Sequence, residues 1–93
     1  SIDNGLTQIS SIMARDIEAE LRNETIKWLQ RAEQQFASIN PNDRRFAENI
    51  AAYLYDSRHF LDKGDMIRAF EAVIWAWAWM EIGQEMGLLN KDE

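Results

Sequence analysis

The 93 residues contain one histidine, and it lies three positions after an aspartate, in Asp56-Ser57-Arg58-His59. On a helix that spacing puts a carboxylate and an imidazole on one face. Such a pair is part of the carboxylate–histidine set that holds two metal ions inside ferritin-like bundles. A whole site needs two such pairs and further carboxylates, so with one His it could form only across two copies of the chain. A surface ion pair or capping contact is the simpler reading. Arg58 and His59 are adjacent and point to different faces, which does not suit an Arg–His pair of the kind some helical ribonucleases use. Glu81 and Glu85 are four apart and repel mildly unless something binds between them. With Glu71 they flank three tryptophans, and either a metal or basic partner, or a merely solvated face, accounts for them. Asp65 follows Gly64 and is explained by helix capping. There is no Ser–His–Asp set, Gly-rich phosphate loop or metal-ligand cluster. No catalytic residue, metal or cofactor is therefore assigned, and an enzyme is not expected.

Composition narrows the classes further. Apolar residues make up 46% of the chain, with four Trp, four Phe and two Tyr, which is the composition of a folded domain and not of a disordered tail. Ninety-three residues make one domain, 1–93, with residues 1–5 and 90–93 expected to fray. One Pro and four Gly allow few chain reversals, so the elements should be few and long. Zero Cys excludes a disulfide scaffold and thiol chemistry, and fits the cytoplasm. A net charge of −6 without a basic stripe argues against nucleic acid. The longest apolar run, Ala72 to Met80, is far short of the roughly 20 residues that cross a bilayer. No charged-then-apolar leader is read at the start, and no membrane role is expected.

Three helices must position these residues. The first is read from about Leu6 to Ile39, with Leu6, Ile9, Met13, Ile17, Leu21, Trp28, Ala32, Phe36 and Ile39 spaced mostly by three or four. Its weakest stretch, Arg22 to Thr25, could bend. Asn40-Pro41-Asn42-Asp43 stops it and starts a second helix, about Asp43 to Lys63, with Phe46, Ile50, Tyr53, Leu54, Phe60 and Leu61 on its apolar side. Lys63-Gly64-Asp65 closes the second helix and caps a third, Met66 to Met86, which ends at Gly87. A turn this short makes the last two helices an antiparallel hairpin. The fold class is all-α: a three-helix up-and-down bundle with a long first helix and a Gly-Asp hairpin.

The third helix is apolar on two sides. At about 100° per residue, Met66, Phe70, Val73, Trp77 and Met80 form one face, and Trp75, Trp79, Ile82 and Met86 form another, nearly opposite. Ala69, Ala72, Ala76 and Gly83 line an edge where a neighbouring backbone can come close. Either the other two helices wrap the third and all three Trp are core, or the face of Trp75, Trp79, Ile82 and Met86 is left for a second copy or another partner.

The stretch from Tyr53 to Gly87 resembles the small archaeal domain-of-unknown-function family numbered three hundred and fifty-seven. The positions that carry the resemblance are Tyr53, Asp56, Phe60, Leu61, Gly64, Asp65, Arg68, Ala69, Phe70, Ala76 and, loosely, Met80-Glu81. The chain departs from the family pattern with Ser57 for Ala, Trp75 for Tyr, Ala78 for Gly, and Met80-Glu81 for Leu-Asp. The resemblance covers about a third of the chain. It implies a three-helix bundle of archaeal, cytoplasmic type, and it carries no catalytic residue over. The hairpin is also similar in its packing to tetratricopeptide-type hairpins, although one hairpin does not make a solenoid.

The expectation is a non-enzymatic protein-interaction or scaffold module working through Trp75, Trp79, Ile82 and Met86, alone or as a homodimer. The alternative is a metal- or small-ligand-binding helical protein using Asp56, His59, Glu81 and Glu85.

Overall fold

In the computed structural model the backbone is described for residues 2–91 and the side chains for residues 16–90. Helix α1 spans Ile2–Ala37, α2 spans Arg44–Asp62 and α3 spans Met66–Glu85, giving the three-helix up-and-down bundle. Two three-residue strands, β1 (Ile39–Pro41) and β2 (Leu89–Lys91), pair antiparallel with Asn40 opposite Asn90.

Local chemistry accounts for the boundaries. The Asp43 side chain accepts from the Phe46 amide at 2.9 Å and starts α2. Lys63 ends that helix, and Gly64 at φ 82° takes the left-handed step that a Cβ would oppose. The turn closes with Asp65 N–H on the Phe60 carbonyl at 2.9 Å and Gly64 N–H on the Leu61 carbonyl at 3.1 Å, the double bond of a Schellman cap. Asp65 then accepts from the Arg68 amide at 3.2 Å and opens α3. Gly87 and Leu88 repeat the Schellman pattern at the far end of α3.

Helix α1 runs unbroken through Arg22 to Thr25. Thr25 is fully buried, and its hydroxyl donates back to the Leu21 carbonyl at 2.7 Å, so the weak stretch satisfies itself within the helix. Among the described side chains, α1 joins the core through its second half. Its side chains from Asp16 to Glu20 are all exposed, Ile17 at 61%, and the first fully buried ones are Thr25, Leu29 and Ala32. At about 1.5 Å per residue α1 is nearly twice as long as its partners, and the described chain measures 63 × 22 × 17 Å.

The core joins Leu29 and Ala32 of α1, Ile50, Leu54 and Leu61 of α2, and Val73, Ala76 and Met80 of α3, with Ile39 and Leu89 from the ladder. The ladder is a small addition to the all-α bundle. Asn90 and Lys91, expected to fray, lie in β2, while Asp92 and Glu93 are outside the described residues. Asn42 N–H donates to the Leu88 carbonyl at 2.8 Å and its side chain to the Gly87 carbonyl at 2.9 Å, tying the α1–α2 connection to the end of α3. At the other end of the expected fraying, α1 takes in Ile2 to Gly5, and Ser1 lies outside the described residues.

Candidate functional site

Each side of α3 has a different neighbour. Ala69, Ala72, Ala76 and Gly83 are buried, and this edge of small residues is where α2 lies. The buried Ser57 hydroxyl of α2 donates to the Ala69 carbonyl at 2.7 Å across that contact. At Gly83 the approach is so close that a Cβ would stand 2.5 Å from the Phe46 ring and 2.7 Å from a Leu89 methyl. Toward α1, Val73 and Met80 are fully buried. Trp77 is half-buried there, with its indole N–H on the Trp28 carbonyl at 3.1 Å and its ring edge-on to Trp28 at 6.0 Å.

The remaining side of α3 faces outward and is unexpectedly apolar. Seven large hydrophobic residues are exposed among the described residues, and five of them are on α3: Ile67, Ile74, Trp75, Ile82 and Met86, the last being its C-cap. Of the four residues read from sequence as the face, Trp75 at 54%, Ile82, and Met86 at 66% are exposed. Trp79 is half-buried because Phe46 meets it edge-on at 5.5 Å. Trp75 stacks on Tyr53 at 6.3 Å. The reading in which all three tryptophans are core is therefore corrected: none is fully buried, and Trp75 is largely open to solvent. Ile67 and Ile74 were missed as face residues, although their spacing of seven on one helix side is a signal for them.

Grooves run on both flanks of this face. One, of about 310 Å³, lies between α1 and α3 and is lined by Trp28, Phe70, Val73, Ile74, Trp77 and Glu81. The other, of about 240 Å³, lies between α2 and α3, with Tyr53, Asp56, Phe60, Arg68, Glu71 and Trp75 among its walls.

The alternative ligand set does not converge. Asp56 sits on the groove it shares with Glu71, whereas Glu81 is ten residues further along α3, about 15 Å at helical rise. His59 is exposed, stacked on Tyr55 at 6.2 Å. No group of three or more His, Cys, Asp or Glu among the described residues is placed to hold a metal ion. No helix of the described residues is long and apolar enough to cross a membrane.

On α1, Glu24 has its pKa lowered, first by the hydrogen bond from Lys27 at 2.9 Å and then by that from the Trp28 indole at 3.0 Å. Lys27 and Arg31 both lie over the Trp28 ring, at 5.4 and 5.1 Å, so these two cations are engaged on their own helix.

Residues 19–89 match the model of a protein family of unknown function, DUF357. The chain belongs to this family. Its fold is shared by the crystal structure of protein AF1782 from Archaeoglobus fulgidus, itself assigned to DUF357. The two are 56% identical over 81% of this chain and 97% of that one, with a TM-score of 0.77. No curated protein is similar to the chain. The DUF357 match starts where α1 enters the bundle, so the earlier turns of α1 lie outside the matched region. The positions that suggested DUF357 from sequence are largely those that hold the hairpin: Gly64 and Asp65 form the turn, and Ala69 and Ala76 are buried against α2.

Proposed function

We propose that this DUF357 protein is a non-enzymatic protein-interaction module that docks its partner on the outward face of α3. The supporting observation is the concentration of exposed apolar bulk on that one surface: Ile67, Ile74, Trp75, Ile82 and Met86, with Trp79 at the edge. Exposed apolar bulk concentrated on one surface is characteristic of docking sites and costly to leave in water. Trp75 is the anchor, since a large ring already held by Tyr53 loses little freedom on binding. The reading assigns the module to the cytoplasm on its cysteine-free composition.

The test is affinity capture from the source organism with the wild type, Trp75→Glu and Trp79→Glu, plus a Tyr55→Glu control on the exposed side of α2. A partner retained in stoichiometric amount by wild type and Tyr55→Glu, and lost by both Trp variants, is the expected result. Retention by Trp75→Glu would remove the face from consideration. Sedimentation velocity on the same proteins tells whether the partner is a second copy.

A further inference from the structure

The outward face of α3 is acidic as well as apolar. Helix α3 carries three acids, Glu71, Glu81 and Glu85, all exposed, against a single base, Arg68. Arg68 stands at the hairpin end, 3.7 Å from the Asp65 carboxylate and over the Phe60 ring at 5.8 Å, so it is occupied within its own turn. Along the face, Ile67, Glu71, Ile74, Ala78, Glu81 and Glu85 follow each other at steps of four and three, the spacing with which one helix presents a seam to another. Ala78 is small and sits mid-seam, where a second backbone can approach. Trp75, Ile82 and Met86 flank the seam on one side.

We infer, on the reading that this face docks a partner, that the partner is a basic amphipathic helix. Its apolar positions lie against Ile74, Ala78 and Ile82, and its Lys or Arg positions come opposite Glu71, Glu81 and Glu85. Ile67 to Met86 is nineteen helical steps, about 28 Å, so the partner helix needs roughly 18 to 20 residues to cover the face. The groove of about 310 Å³ beside it has indole and aliphatic walls from Trp28, Trp77 and Ile74 and a carboxylate, Glu81, at its rim. That combination suits the alkyl stem of a Lys or Arg with its cation on Glu81. A second copy fits the same surface poorly. In an antiparallel pair centred on Ala78, Glu71 of each chain faces Glu85 of the other, and a parallel pair sets each acid against itself. Two chains of net charge −6 also repel at long range.

The experiment titrates the full chain with a synthetic 18-residue helical peptide of Leu and Lys in heptad pattern, and with its Leu–Glu counterpart, following tryptophan fluorescence. The Leu–Lys peptide should bind one to one and at least tenfold tighter than Leu–Glu. Glu71→Lys/Glu81→Lys/Glu85→Lys should lose at least tenfold. Asp16→Lys/Glu20→Lys/Asp62→Lys, with the same change in total charge away from α3, should lose less than threefold. Far-UV circular dichroism checks that both triple variants keep the fold. Equal loss in the two triple variants would reduce the effect to net charge and overturn the inference. Equal binding of both peptides, abolished in each case by Trp75→Glu, would overturn the basic partner while leaving the docking face standing. Leu–Lys binding untouched by Trp75→Glu would overturn both.

Discussion

Gly83 tests the packing that sets the α3 face. A Cβ placed there would stand 2.5 Å from a Phe46 ring carbon and 2.7 and 2.9 Å from two carbons of Leu89. Carbon atoms in van der Waals contact sit about 3.5–4.0 Å apart, so the two side chains must each retreat by about 1 Å. Overpacking of this order costs about 1–3 kcal/mol. Against it stands the gain in helix propensity of Ala over Gly, about 1 kcal/mol. The balance is a destabilisation of about 0–2 kcal/mol for Gly83→Ala, or a fall in Tm of up to roughly 15 °C for a domain this size. Urea unfolding followed by circular dichroism should show a lower midpoint at unchanged slope. In a Leu89→Ala background one of the two obstructing side chains is gone, so Gly83→Ala should cost at least about 0.5 kcal/mol less there, beyond the usual error of additivity. Gly83→Ala more stable than wild type would show that the helix accepts the methyl freely. Strict additivity with Leu89→Ala would show that the β2 residue is not what opposes it. The first result refutes the close approach, and the second leaves Phe46 alone to oppose the methyl.

Three further outcomes are expected. Trp77→Phe should cost about 1 kcal/mol more than Trp79→Phe in chemical unfolding, because Trp77 donates to the Trp28 carbonyl whereas the buried Trp79 indole N–H has no acceptor among the described residues. Ser57→Ala should cost about 0.5–1.5 kcal/mol by losing the bond to Ala69, and Ser57→Leu should cost more by forcing the α2–α3 contact apart. Glu24 has a folded pKa below its ordinary 4.5, held there mainly by Lys27. Its contribution to stability is therefore present above about pH 4.5 and lost as pH falls through the lower folded value. The pH-unfolding profile of Glu24→Gln should differ in slope from wild type below that point and run parallel to it above.

The helices and the hairpin were legible because their ends are written in residues with one job each. Asp43 and Asp65 cap, Gly64 turns left-handed, and the structure uses all three so. The sidedness of α3 was legible from angular spacing, which separated Trp77 from Trp75 and Trp79. How far each ring is covered was not, because it depends on partners remote in sequence: Phe46 shields Trp79, while Tyr53 leaves Trp75 open. Ile67 and Ile74 escaped notice because apolar residues surround them on every side of the helix wheel, so the moment that marks an amphipathic helix is weak there. The β ladder left no trace in the sequence, since three residues are too few for a period of two to register. Asp56, His59, Glu81 and Glu85 share metal-binding chemistry but not position, because the antiparallel register places them at different heights.

The ladder has a consequence for the way this chain opens. Ile39–Pro41 and Leu89–Lys91 fasten the two ends of the α2–α3 hairpin to one another, so residues 39–91 form a ring closed by hydrogen bonds. Neither helix can peel from its outer end until that clasp releases, which makes the ring a single cooperative unit in native-state hydrogen exchange. Helix α1 lies outside the ring, so it can unwind without breaking the clasp. Amides near Leu29 and Ala32 should then exchange by a lower-energy opening than those of Ile50 and Val73, although all four side chains share one core.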